Sequence, residues 1–426
     1  MKRVLIITYY WPPGGGAGVQ RWLKFSKYLP ENGWQPVIYT PENPEVPALD
    51  ASLEKDIPEE CEVIRTSIKE PYSFYKRFTG RGKDEKVNAG FLDEGRKPGL
   101  KDKIAVWIRG NFFIPDARRF WIRPSVKFLE KYLKENPVDV IVSTGPPHSM
   151  HLIALGLKQK LDIPWIADFR DPWTGIDFYN QLMLTRYADR KHHRLERTVL
   201  QKADRVVTVG WESARQLKAL GGRDVDVITN GFDEDDIGIP DNGEKKHNDK
   251  FVIRHIGAIN RDRNHENFWR AVKKLKDDNP FDKRVVVELI GKSDASVRES
   301  VKRYELEDTV RFISYVPHSE TGRMLQTADL LYLPINNTPN AKAILTGKIF
   351  EYIASGTPVL GIGPKDGDAA KVLNDCGAGV MVGFGEEVEI GLFASDLQRS
   401  YDNSDVNFYS RKFLTHQIVE VLNTIK

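Results

Sequence analysis

The chain opens on a pattern that few folds can use. Val4–Tyr9 is a largely apolar run that feeds into Trp11-Pro12-Pro13-Gly14-Gly15-Gly16-Ala17-Gly18. Trp22, Phe25, Tyr28 and Leu29 then recur at helical spacing, and Trp34–Tyr39 is a second apolar run. A buried strand, a glycine loop, a helix and another buried strand begin a Rossmann-like unit. Glycines in such a loop reach positive φ and let backbone N–H groups approach a ligand.

The alternation continues. Short apolar runs at Val138–Ser143, Trp165–Asp168, Val206–Val209 and Val225–Thr229 predict strands. Helical patterns start at Pro124, as a first helical residue running to about Lys134, and span His151 to Leu161. Arg81–Lys103 is charged and glycine-rich and reads as a mobile loop. Asp233–Lys250 is polar and aperiodic and reads as a linker. A second series of strands follows at Phe251–Ile253, Val285–Ile290, Val310–Phe312, Leu330–Leu333 and Val359–Ile362. The last segment, about Asn407–Ile425, reads as an amphipathic helix. The predicted class is α/β, with two Rossmann-like domains, 1–236 and 237–405, facing a central cleft. The 426-residue length suits two such domains.

Composition excludes several alternatives. Lys plus Arg is 63 against 60 acidic residues, so bulk nucleic-acid binding is not expected. The two cysteines, Cys61 and Cys376, form no CxxC or Cys/His cluster, so neither zinc nor a disulfide framework is expected. Asp233-Glu234-Asp235-Asp236 offers carboxylates, but in a linker, and no metal is expected there. No apolar run approaches a membrane span, and Val4–Tyr10 lacks the cleavage site of a signal peptide. A cytoplasmic protein with at most peripheral membrane contact is expected. The glycine loop is not a clean G-x-G-x-x-G, and Gly347-Lys348 is followed by Ile349 rather than Ser or Thr. Dinucleotide and P-loop readings are therefore disfavoured.

The most informative stretch is Thr346-Gly347-Lys348-Ile349-Phe350-Glu351-Tyr352-Ile353-Ala354-Ser355-Gly356-Thr357-Pro358. A loop enters a helix at Thr346-Gly347, whose free N–H groups would attract an anion. Glu351 follows about one and a half turns further on, suited to ribose hydroxyls. Asn230-Gly231-Phe232-Asp233, the loop Gly257–Asn267, Tyr315-Val316-Pro317 and Asp168-Phe169-Arg170-Asp171-Pro172-Trp173 stand in a characteristic order.

Together these elements resemble the GT-B glycosyltransferases, and glycosyltransferase family 4 in particular, of bacterial surface-polysaccharide type. The resemblance implies a donor site at Gly257, Arg263, Val316, Thr346, Gly347, Lys348 and Glu351, with Gly15 and Gly16 approaching the donor. It implies that the final helix, 406–426, packs back on the first domain. It also implies a metal-independent, retaining transfer from a nucleoside-diphosphate sugar, UDP before GDP, to a glycan or lipid-linked acceptor, with no cofactor. Ala343 stands where the family often has a second Glu, and Ala258 where it has an Arg; Arg263 stands where it has a Lys. A non-hydrolysing UDP-sugar epimerase shares the fold, and a silent glycan-binding protein is the third reading.

Four residues are expected on the acceptor side. His148 follows Gly145-Pro146-Pro147 and could polarise a hydroxyl. Asp168, Arg170 and Asp171 lie just past a strand end, facing a ligand or locking the loop as an Arg–Asp pair. Between Trp107 and Arg123, aromatics alternate with arginines. That stretch suits core packing, an acceptor glycan or an anionic lipid surface.

Overall fold

The computed structural model describes residues 1–46, 48–70, 99–176, 179–238, 249–279, 281–314, 316, 318–391 and 403–425. It divides into two compact units: Met1–Thr229 with Thr415–Lys426, and Asn230–Leu414.

The first unit is built on seven parallel strands: β1 (Lys2–Ile7), β2 (Trp34–Pro41), β3 (Glu62–Thr66), β4 (Val140–Gly145), β5 (Trp165–Phe169), β6 (Arg205–Thr208) and β7 (Asp226–Val227). Their order is β3-β2-β1-β4-β5-β6-β7. The order reverses between β1 and β4, which are hydrogen-bonded neighbours from Val4↔Val140 to Ile7↔Ser143. Helices α1 (Ala17–Tyr28), α2 (Leu100–Phe112), α3 (Arg119–Glu135), α4 (Ser149–Leu161), α5 (Arg186–Lys202) and α6 (Trp211–Gly221) complete it. The central strands are buried on both faces, which is why they read as continuous apolar runs.

The second unit repeats the plan with β8 (Lys250–Ile256), β9 (Arg284–Ile290), β10 (Val310–Ile313), β11 (Leu330–Pro334), β12 (Val359–Ile362) and β13 (Gly379–Val382). The order is β10-β9-β8-β11-β12-β13, with its reversal between β8 and β11. Helices α7 (Glu266–Asp278), α8 (Ala295–Arg303), α9 (His318–Gln326), α10 (Lys348–Ala354) and α11 (Asp368–Asp375) complete the unit; α12 (Arg411–Thr424) ends the chain and from Thr415 on belongs to the first unit. These are the two parallel-sheet, Rossmann-like domains of an α/β protein. Among the described residues, no helix is long and apolar enough to cross a membrane.

Several local expectations need correction. Pro124 lies inside α3 rather than at its first position. The helix begins at Arg119, and just before it the Asp116 carboxylate accepts from the Arg118 N–H at 2.8 Å. Pro124 lacks the N–H that would reach the Phe120 carbonyl, so that helical hydrogen bond is missing. The Val225–Thr229 strand shrinks to two paired residues. Strands β3 and β13 were missed, one at each sheet's edge. Of the expected loop 81–103, residues 81–98 lie outside the described residues, and Leu100 onward is α2.

The aromatic stretch divides. Trp121 is core: it stacks on Tyr39 with centroids 4.9 Å apart and planes 8° from parallel. Its indole N–H donates to Thr66 Oγ1 at 3.0 Å. Trp121→Ala should therefore cost the first unit about 3–5 kcal/mol through the cavity it leaves. Denaturant unfolding would show it, and a change under 1 kcal/mol would contradict the packing.

Candidate active site

In open α/β sheets, ligands sit beyond the carboxyl ends of the strands where the order reverses. In the second unit that point lies after β8 and β11. Gly257 follows β8 directly with φ +128°, and its N–H is held by the Ile290 carbonyl at 2.7 Å. A Cβ there would overlap Cε and Nζ of Lys348. Only glycine lets that lysine lie across the strand end.

Arg263 reaches the same place. Its Nε donates to Asn336 Oδ1 at 2.5 Å and Nη1 to the Ala258 carbonyl at 3.1 Å. Burial pulls the Lys348 ammonium down to about 8; the Arg263 charge adds to this and Glu351 opposes it. Helix α10 has only seven residues, so its N-terminal amides add little field. The two cations dominate the site. Thr346 Oγ1 beside them is buried and makes no hydrogen bond. Gly347 is exposed and Glu351 half-buried in the first turn of α10. Val316 is half-buried, while Tyr315 and Pro317 lie outside the described residues.

A buried pair that the sequence reading missed supports this site. His255 Nδ1 meets the Tyr332 carbonyl at 2.8 Å. The Tyr352 hydroxyl accepts from the Ile256 N–H at 2.9 Å. Burial first, and then the Lys348 charge, drive the imidazole down to about 3. It is therefore neutral and adds no third cation. The residues flanking Gly257 and Glu351 were the available signal.

The reversal point in the first unit carries the glycine loop and the loops after β4 and β5. Gly16 caps α1 with φ +97°. The Gly15 N–H is already bonded to the Ala48 carbonyl at 2.9 Å, so it is committed to the loop itself. Asp168 is fully buried. Its carboxylate accepts from Arg21 Nη2 at 3.0 Å, Trp22 Nε1 at 2.7 Å and Thr144 Oγ1 at 2.8 Å. Burial pushes that carboxyl up, but the Arg21 charge and these bonds outweigh it and hold it below its ordinary value. Asp168 thus sits in a buried ion-pair lock whose partner is Arg21 rather than Arg170.

Arg170 staples two loops. Its Nη1 donates to the Gly18 carbonyl at 2.8 Å and its Nη2 to the Pro146 carbonyl. Burial lowers its pKa from the ordinary value. Asp171 alone of the three acids and bases is exposed. His148 is buried and stacked on Trp173, with centroids 4.6 Å apart and planes 3° from parallel. The Trp173 indole N–H donates to His192 Nδ1 at 3.0 Å, and its backbone N–H to Glu196 Oε1 at 3.1 Å. Burial, reinforced by His151, His192 and Arg170, holds the His148 imidazole well below its usual value. A cavity of about 250 Å³ opens beside it, with Tyr10, Phe113, Asp171, Trp173, Tyr179 and His192 in its wall. Aromatic faces with a carboxylate and imidazoles can bind a polar ring. Among the described residues, no group of three or more His, Cys, Asp or Glu side chains could hold a metal ion.

Two family models match the chain. Residues 15–236, just over half of it, match Glycosyltransferase Family 4, and residues 239–389 match Glycosyl transferases group 1. No curated protein matches it in sequence. Solved structures of the same fold include a glycosyltransferase from Rickettsia africae, with 14% identity, 99% of this chain and 98% of that one covered, and TM-score 0.63. Sucrose-phosphate synthase from Thermosynechococcus elongatus has 13% identity, 99% and 98% coverage, and TM-score 0.59. The lipopolysaccharide outer core galactosyltransferase WaaB has 12% identity, 100% and 99% coverage, and TM-score 0.57. At such identities these likenesses carry the fold, and the family models carry the membership. With both units matched in order, the chain belongs to glycosyltransferase family 4, and it is a glycosyltransferase of the GT-B fold.

Proposed function

We propose that the protein is a retaining, metal-independent hexosyltransferase. It moves a sugar from UDP-sugar to a glycan or lipid-linked acceptor during assembly of a bacterial surface polysaccharide. The observation that supports this best is the cationic pair at the second unit's strand reversal. Lys348 lies across Gly257 beside Arg263, its ammonium depressed by burial and by that neighbour. Two clustered cations suit the leaving diphosphate. Glu351 takes the ribose hydroxyls, and the Val316 backbone the base.

In the reaction, the bond from sugar C1 to the diphosphate oxygen breaks. A bond from C1 to the acceptor oxygen forms on the same face, and the acceptor proton passes to the leaving phosphate. Lys348 and Arg263 stabilise the charge that develops there. In the first unit, His148 and Asp171 contact the acceptor or the transferred sugar at the cavity. Asp168, Arg170 and Trp173 act as positioning residues.

Calorimetric titration with UDP and GDP tests the donor assignment. Arg263→Ala is expected to weaken UDP binding about tenfold, the loss of one charge-assisted contact. Unchanged binding would remove Arg263 from the site. Incubation with a UDP-sugar alone, followed by NMR, separates transfer from epimerisation. Transfer predicts no epimer and no turnover until an acceptor is added.

A further inference from the structure

One surface of the first unit is apolar where a water-facing surface should be polar. Ile104 is 41% exposed, Trp107 40%, Phe112 57%, Phe120 55%, Met183 42% and Tyr187 71%. They come from three chain segments but form one patch. Trp107 and Phe112 meet edge to face with centroids 5.8 Å apart, and Phe113 joins Phe120 at 6.0 Å. Asn111 ties the segments together. Its Nδ2 donates to the Met183 carbonyl at 3.2 Å, and its Oδ1 accepts from the Thr185 N–H at 2.7 Å. Gly110 brings α2 close, since a Cβ there would sit 2.8 Å from the Leu182 carbonyl oxygen. The core of the unit lies elsewhere: α2 buries Ala105, Val106 and Gly110 on its other face.

Charge around the patch is one-sided. Residues 99–127 and 181–191 contain ten Lys or Arg against Asp102, Asp116 and Asp189, a net +7 in a chain of net +3. Arg118 is buried against Glu70, and Asp116 is tied to Ser149. Lys103, Arg123, Lys127, Arg186 and Arg190 are exposed. Aromatic and aliphatic side chains ringed by cations fit one partner class, a bilayer surface carrying anionic lipid. A protein partner needs no such excess of one sign, and nucleic acid needs no exposed Met and Phe.

We infer that this face docks the protein peripherally on an anionic membrane. Trp107, Phe112, Phe120 and Met183 enter the interfacial zone, and Lys103, Arg123, Arg186 and Arg190 meet the headgroups. Helix α2 also walls the cavity beside His148 through Arg109 and Gly110. A docked α2 would therefore hold that cavity near the headgroups, where the saccharide of a lipid-linked acceptor lies. That last consequence rests on the transfer reading; the docking itself does not.

The test is co-sedimentation of the full chain with phosphatidylcholine vesicles, plain or with roughly a third phosphatidylglycerol. The expected result is binding at least about tenfold tighter to the anionic vesicles, weakening as salt rises. The combined variant Trp107→Ser, Phe112→Ser, Phe120→Ser should lose about tenfold or more, as should Arg186→Glu with Arg190→Glu. Trp107→Phe keeps the bulk and should bind like the wild type, yet lose part of the fluorescence quenching by brominated lipid. Absence of binding to anionic vesicles, or a serine variant that binds as the wild type does, overturns the proposal. So does quenching that is unchanged in Trp107→Phe. UDP titration of each variant reads the donor site separately, so failure of the donor assignment is not confused with failure of docking.

Discussion

Lys348→Ala should weaken UDP binding by about a hundredfold at neutral pH, roughly 2.7 kcal/mol. The side chain is mostly withdrawn from water, so its contact with a diphosphate is screened less than a surface pair would be. The same burial gives the contact a pH signature. In the free protein the ammonium titrates at about 8, already lowered by burial and by Arg263. A bound diphosphate favours the charged form and raises that value. Binding near and above pH 8 therefore takes up a proton, and affinity falls as pH climbs past that point, by at most about tenfold per unit. Lys348→Arg keeps the charge and removes the titration, since guanidinium stays protonated throughout. Calorimetry in buffers of different ionisation heat measures the proton directly. Equal proton uptake in wild type and Lys348→Arg would show that another group titrates, and the site would need a different cation.

This cation pair was legible early, but for a partly different reason. Thr346-Gly347-Lys348 suggested a helix N-terminus as the anion holder. The helix that forms is too short to do much, and Lys348 works by reaching from the start of α10 over Gly257 at the end of β8. That contact is long-range, and no local pattern encodes it. The strands at the centre of each sheet were legible because burial on both faces leaves an unbroken apolar run. Edge strand β3, Glu62-Val63-Ile64-Arg65-Thr66, is half-buried and mixes charge with apolar residues, so its signal was weak. The basic residues of α1 were the clearest missed signal. Arg21, Lys24 and Phe25 share the helix face that points inward, and a charge there demands a buried partner. Lys24 finds Asp56 at 2.8 Å, and Arg21 finds Asp168. Asp168 seemed ligand-facing because it ends a strand. The side chain of a strand's last residues can instead turn into the core, and here it does.

Arg21→Met should destabilise the first unit by about 3–5 kcal/mol. It leaves the Asp168 carboxylate buried with the Trp22 and Thr144 bonds but without its counter-charge. It also strips a donor from the Thr229 carbonyl, which Arg21 Nη1 reaches at 2.9 Å. Against a typical domain stability of about 5–15 kcal/mol, that is roughly a fifth or more of the total. Asp168→Asn strands the guanidinium instead and should cost a comparable amount. The double variant should cost clearly less than the sum, because each single change creates the unpaired charge that the other removes. A ligand-facing Asp168 predicts the opposite pattern: Asp168→Asn would keep its unfolding midpoint and lose turnover. UDP titration distinguishes these outcomes further. The residues assigned to the donor all lie in the second unit apart from Gly15 and Gly16, so a destabilised first unit should still leave measurable UDP binding. A variant that binds UDP, unfolds early and recovers stability when its partner is also replaced would identify this pair as the support beneath the β4 and β5 loops. His148 and Asp171 would then owe their positions to a lock buried beneath those loops, where no substrate reaches it.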